Sequence, residues 1–490
     1  MSKKNNLKDF LTDLYEGISS KKPGASRNPQ NFRSEIESIQ TGVDTSDATA
    51  SSAQILNGYT AYANDQKITG SIANYNNETI GGTPAPDTFK RILDSGKSCY
   101  YMFAYCSDNN LANVIDYDVT ENVTNFSYMF YASSLTNLPL FNTKSGTNFS
   151  YMYYRCTNAT SFPLIDTSSG TTFSNMYYYC TNATSFPLID TSKGASFSNM
   201  YYYCTKATSF PTIDTSSGST FSSMYSYCSS ATSFPSINTG NGVDFSYMYS
   251  YCSMATSFPS INTEKGTNFS YMYGSCSSAT SFPSLNTTNG TNFASMYYGA
   301  LTGKSFPALN TSKGTNLSSM YYNCTSVETL PEIDTSLNTN FNYIHYCCYK
   351  LKNRPKMNTS KATSFQQAFY SCYVLPKIDI SYFNISSTSY TNNMCYNCYS
   401  LKAFIIRQIG GSYILNTNAF TNCYHLTGTT NSTYNPTGAK DGYIYVPRTT
   451  ISTLKSASGW STYASQIRAL EDYTVDGTLT GAFDDAKAGL

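Results

Sequence analysis

Histidine is almost missing from this chain, with His345 and His425 the only two in 490 residues. A histidine-based metal centre or catalytic triad would have to be assembled from those two side chains. Charge is scarce as well. Asp, Glu, Lys and Arg make up 12% of the residues and the formal net charge is +1. Such a chain has no basic field to draw it onto nucleic acid or an anionic membrane surface. No apolar run approaches the roughly 20 residues that a membrane-spanning helix needs, so membrane insertion is not expected. The opening stretch MSKKNNLKDFLTDLYEGISSKK carries acids within its apolar part, which argues against a secretory leader. G-x-S-x-G, P-loop and H-E-x-x-H patterns do not occur, and neither an enzyme nor a cofactor is expected.

Tyrosine and cysteine are abundant instead, at 46 and 15 residues. The cysteines follow a ruler. Cys156, Cys180, Cys204, Cys228, Cys252 and Cys276 are 24 residues apart, and after Ala300 the series resumes at Cys324, Cys348 and Cys372. One small side chain per period, replaceable by alanine or by Ser133, reads as a buried free thiol rather than half of a fixed disulfide. A zinc site would require two further ligands beside Cys395 and Cys398, and none is indicated. Pro163, Pro187, Pro211, Pro235, Pro259 and Pro283 keep the same 24-residue step, as do Met152, Met176, Met200 and Met224. A period held without insertion is the mark of a stacked solenoid.

The period from Phe149 to Thr172 reads FSYMYYRCTNATSFPLIDTSSGTT. Phe149, Met152, Tyr153 and Cys156 are spaced i, i+3, i+4, i+7, the apolar stripe of a short helix that must lie against its neighbours. The segment from Ser161 to Asp166 predicts a short strand, with Pro163 making it either bulged or very short. Asp166, Thr167, Ser168 and Gly170 predict a turn. The expected fold class is therefore an α/β solenoid with one strand, one loop and one short helix per coil. A small helical region precedes it and a cap closes its C-terminal end.

Two variable columns are candidates for binding. Leu164 and Leu188 become Thr212, Ser236, Ser260 and Ser284 at the same phase, and later Ala308, Glu332 and Lys356. A core position would not accept that range, so this column is expected to face solvent. Tyr179, Tyr203, Tyr227 and Tyr251 form a second column, preceded by Arg155 and followed by Ser275 and Gly299. These tyrosines either bind a ligand, being rigid with a polar tip, or close the interface between coils. The recurrent Asp166, Asp190 and Asp214 give way to Asn238 and Asn262. Exchange with asparagine fits a turn hydrogen bond and not a catalytic carboxylate.

The motif Ala159–Thr160–Ser161–Phe162, then Asp166–Thr167–Ser168, then Phe173–Ser174–Asn175–Met176–Tyr177 with Cys180 resembles the BspA-like, Mycoplasma-type leucine-rich repeats of bacterial and phage surface proteins. The resemblance covers about Cys99 to Leu426 and implies a surface-displayed solenoid. Asp47 to Ile72 resembles a short module of tailed-phage structural proteins. Gly442 to Leu470, with Trp460 and Tyr463, resembles the segment that closes repeat proteins of this class.

Four regions are expected: 1–43, a helical attachment region; 44–96, the phage-like module and a linker; 97–437, the solenoid; and 438–490, the cap with a tail. Within the first, Leu7, Phe10, Leu11 and Leu14 form one apolar stripe and Phe32, Ile36 and Ile39 another. Residues from Asp472 onward are expected to be only loosely attached. Together these features predict a bacteriophage virion structural protein, as a fibre, head decoration or tail component. Its N-terminal region would contact other virion proteins, as a homo-oligomer that the resemblance suggests is a trimer, and its solenoid would adhere to a host-surface glycan or protein. The alternatives are a bacterial surface adhesin of the same repeat family and a tail-associated glycan hydrolase.

Overall fold

The computed structural model describes residues 98–107, 109, 120–385 and 388–490, together with 7–21, 31, 60–63 and 66–69. The chain divides into two units, one of residues 1–77 with 82–85 and one of the rest. In the first unit a helix, α1 (Leu7–Lys21), buries Ile18. Strands β1 (Thr60–Ala63) and β2 (Gln66–Thr69) form an antiparallel hairpin. The second apolar stripe at Phe32, Ile36 and Ile39 lies outside the described residues, as do the linker and most of the phage-like module.

The second unit is a stack of coils in the register that the sequence period sets. Parallel bridges join Asn148 to Thr172, Thr172 to Ser196, Ser196 to Thr220 and Thr220 to Asp244, one per coil. Phe149, Phe173, Phe197 and Phe221 stack face to face along the axis at 5.8, 6.1 and 5.8 Å. Tyr153, Tyr177, Tyr201 and Tyr225 do the same at 5.6 Å and are fully buried. The cysteines are all free and buried. The thiols of the 24-residue column donate to carbonyls of the preceding coil, as from Cys180 Sγ to Tyr153 O at 3.1 Å and from Cys204 Sγ to Tyr177 O at 3.2 Å. Buried threonine hydroxyls repeat the device in the other direction, as from Thr167 to Asp190 O at 2.5 Å.

The expected helix is not formed, and the reason lies in the backbone. Met176 N–H bonds to Phe173 O, Tyr178 N–H to Asn175 O and Cys180 N–H to Tyr177 O, each closing a four-residue turn. The alternate amides, Asn175, Tyr177 and Tyr179, donate to Ser198, Met200 and Tyr202 of the next coil at 2.9, 2.9 and 2.7 Å. Asn175 and Tyr179 have φ of 60° and 62°, the left-handed value that a type II turn requires at its third residue. A ribbon of linked turns thus reproduces the i, i+3, i+4, i+7 spacing of a helix. It also frees every second amide to bond the neighbouring coil, which a helix cannot do.

The expected strand at Ser161–Asp166 is absent from the coils of Pro139 to Pro355 and forms at that phase only later, as at Lys377–Ile380. Each coil carries a proline there, so each lacks a ladder donor at the same level. Among the described residues of this unit, regular strands occur only near the C-terminus. Strands β3 (Lys377–Ile380), β5 (Ala403–Ile406), β7 (Tyr443–Val446) and β8 (Ile467–Ala469) form a parallel sheet in that order. Strands β4 (Phe383–Ile385) and β6 (Ile409–Gly411) pair in parallel beside it.

The cap closes over this sheet. Trp460 is fully buried, edge-on to Phe383 at 6.1 Å, and Tyr463 meets Phe420 at 5.4 Å. The tail is fastened rather than loose. Tyr473, Leu479, Phe483 and Ala488 pack on Ala403, Ile405, Tyr445 and Leu470. Arg407 pairs with Asp379 through two bonds of 2.9 and 2.7 Å and donates to the carbonyls of Leu479 and Gly481. A buried guanidinium needs all these acceptors to offset its desolvation.

Candidate binding face

Turn geometry decides which tyrosines face out. Along the ribbon, the side chain at the Tyr177 phase enters the core, while Tyr178, Tyr179, Tyr202, Tyr203 and Tyr227 remain half-buried and Tyr251 is exposed. Tyr179, Tyr203, Tyr227 and Tyr251 form one axial row, with ring centroids 4.4, 5.1 and 4.2 Å apart. Tyr179 is stacked flat on Tyr203, and Tyr227 on Tyr251, within 8°. Arg155 stands over Tyr179 at 5.3 Å and ends the row. The sequence left binding and packing open for these residues, and the geometry includes features of both. The rings contact one another between coils, and their outer edges remain accessible.

Stacking limits the chemistry. A ring covered on both faces cannot offer a face to a sugar or a cation. It offers its hydroxyl and its electropositive edge. Burial, then the Tyr251 neighbour, pushes the Tyr227 pKa up to about 12.

The second column lies elsewhere on the coil, directly after the prolines. Leu164 and Leu188 are 66% and 64% exposed, and Thr212, Ser236, Ser260 and Ser284 are exposed too. Leu140 belongs to the same column and is exposed, so three leucines stand on successive coils before the column turns polar.

A family comparison gives the chain its place. Residues 97–212, 171–284, 195–308 and 315–421 match one repeat family, described as Mycoplasma protein of unknown function, DUF285. The chain belongs to this family. No curated protein matches it. The DUF285 matches span the bridged coils, run on through β3 to β6 and end before β7 and β8 of the cap.

Sequence reasoning missed a longer tyrosine row in the DUF285 array. Tyr298, Tyr322, Tyr346, Tyr370 and Tyr396 stack at 4.4, 4.5, 4.7 and 5.1 Å, one phase before the row already described. The signal was present, since the first four are 24 residues apart. It was obscured because Ser226, Ser250 and Gly274 interrupt that phase in the middle of the array.

The remaining reactive side chains are inside. Burial raises the thiols of Cys180, Cys228 and Cys252 well above their ordinary range, so they are not poised as nucleophiles. Among the described residues, no group of three or more His, Cys, Asp or Glu side chains is placed to hold a metal ion. His425 is held between Asp441 at 2.6 Å and the carbonyl of Tyr434 at 2.9 Å. His345 is buried in the core against Arg354. Among the described residues, no helix is long and apolar enough to cross a membrane.

Proposed function

We propose that this chain is a non-enzymatic display protein whose solenoid adheres to a host surface. The observation that carries the reading is the outer axial row Tyr179–Tyr203–Tyr227–Tyr251, an array of phenol edges and hydroxyls repeated at the coil spacing. Such a row contacts a repeating surface polymer weakly at many points, and multiple copies multiply the effect. A small metabolite would instead call for a concave pocket.

Within that reading, the chain is a virion structural protein of a tailed bacteriophage, placed as a fibre, head decoration or tail component. Residues 1–96 dock it to other virion proteins as a homo-oligomer, by resemblance a trimer. The phage-like character of Asp47 to Ile72 and the BspA-like repeat pattern support this version. The family match to Mycoplasma repeat proteins favours a second version, a cellular surface adhesin built on the same array.

Two experiments test the proposal. Peptide mass spectrometry of purified particles and of cell-surface fractions should find the chain in particles. Recovery from the cell surface alone selects the second version. Changing Tyr203 and Tyr227 to Ser should weaken attachment to host cells, with little sensitivity to salt because few charges take part. Unchanged attachment by a folded double variant would refute the row's role.

A further inference from the structure

In the C-terminal coils the tyrosines form two rails instead of one. Tyr346, Tyr370 and Tyr396 stack along the axis at 4.7 and 5.1 Å. Tyr349, Tyr373 and Tyr399 stack alongside at 4.7 Å for both steps, and Tyr424 extends that rail at 4.9 Å. All are half-buried. Between the rails, at the phase occupied by tyrosine in Tyr179 and Tyr203, stand Cys347, Ser371 and Asn397. Cys347 and Ser371 are buried, and Asn397 is half-buried. Further along, Asn397 Nδ2 donates to Ser371 Oγ at 3.3 Å, and Asn422 Nδ2 to Asn397 Oδ1 at 2.8 Å. The result is a polar floor running parallel to the solenoid axis, walled by phenol edges and hydroxyls.

We infer that this double-railed track is a second binding site, for an extended neutral glycan. The chain would consist of pyranose rings joined through equatorial linkages, as in chitin and cellulose. Three observations select that class. The rings are stacked on one another, so the walls present electropositive edges and hydroxyls, which suit oxygen-rich ligands. The floor presents the amides of Asn397 and Asn422 and no ionised side chain, which suits an uncharged chain. The repeat of the rails, 4.7 to 5.1 Å, is close to the advance of such a glycan per sugar. Successive sugars of such a chain are turned over, so alternate sugars meet the same groups of each rail, and affinity accumulates along the track. A glycan with axial linkages coils away and loses that register. The inference does not depend on the row from Tyr179 to Tyr251.

The test is calorimetric titration of the full chain with chito-oligosaccharides from dimer to pentamer, with maltopentaose as the coiled comparison. Affinity should rise at each added sugar, and maltopentaose should bind at least tenfold more weakly than chitopentaose. The double change Tyr370→Phe and Tyr373→Phe keeps both stacks and removes the hydroxyls. It should weaken chitopentaose at least tenfold with the melting temperature unchanged, while Tyr203→Phe with Tyr227→Phe should leave it unaffected. Absence of chitopentaose binding, equal affinity for dimer and pentamer, or loss of binding only on changing Tyr203 and Tyr227 would each overturn the assignment.

Discussion

Arg354 donates its Nε–H to Nε2 of His345 across 2.9 Å in the interior of the array. In preceding coils the corresponding pair is aromatic, as in Tyr297 with Phe306 at 4.7 Å. One coil has therefore exchanged a tyrosine and a phenylalanine for a histidine and an arginine together. The imidazole stacks between Tyr321 at 5.9 Å and Phe369 at 5.3 Å, keeping the axial column continuous. Burial, and then Arg354, hold its pKa well below the ordinary histidine value, and burial lowers Arg354 to about 10.

This pair predicts an acid-sensitive coil. His345 is neutral in the folded chain and takes up a proton on unfolding. Stability is then present above the unfolded value of about 6.5 and falls below it by up to about 1.4 kcal/mol per pH unit. Thermal melts between pH 7 and pH 5 should show that loss. Restoring the aromatic pair with His345→Tyr and Arg354→Phe should abolish this contribution and raise stability at both pH values.

The hydroxyls of Tyr177, Tyr201 and Tyr225 are buried without a hydrogen-bond partner. Leaving such a group unsatisfied costs about 1–3 kcal/mol. The end coils carry Phe130 and Phe369 at this phase. Tyr201→Phe is therefore expected to stabilise the chain by about 1 kcal/mol, measured by denaturant unfolding of the variant against the parent.

Backbone requirements differ at two recurrent positions. Ser275 has φ of 60°, whereas Gly299, one coil on, has 68° without a side chain to strain. Ser275→Gly should stabilise by up to about 1 kcal/mol. At Gly170 the constraint is steric, because a Cβ would lie 2.6 Å from Phe173 and 2.9 Å from the carbonyl of Thr167. Gly170→Ala should destabilise by about 1–3 kcal/mol, and melting curves of the two variants should move in opposite directions.

Stacking, burial and exposure were legible in the sequence because they follow from one number, the 24-residue step. Cys180 at one phase and Leu188 at another show by their substitutions alone which faces the core and which the solvent. Local geometry was not legible. A chain of linked turns puts Phe173, Met176, Tyr177 and Cys180 on one side just as a helix would, and nothing in those letters announces a left-handed Asn175 or Tyr179. The attachment of the tail was hidden for another reason. Arg407 and Asp379 are 28 residues apart, and their joint contact with residues 479 and 481 exists only once the cap has folded.

Chemical nitration of the native chain tests the account most directly. Tyr201 and Tyr203 are two residues apart, yet one is fully buried and the other lines the outer row. Burial drives the Tyr201 and Tyr225 phenols well above their ordinary pKa, which removes the phenolate that nitration needs. Tetranitromethane treatment near pH 8 followed by peptide mapping should modify Tyr203 and Tyr251 and spare Tyr201 and Tyr225. Equal modification of Tyr201 and Tyr203 in the folded chain would contradict both the turn ribbon and the outward tyrosine row.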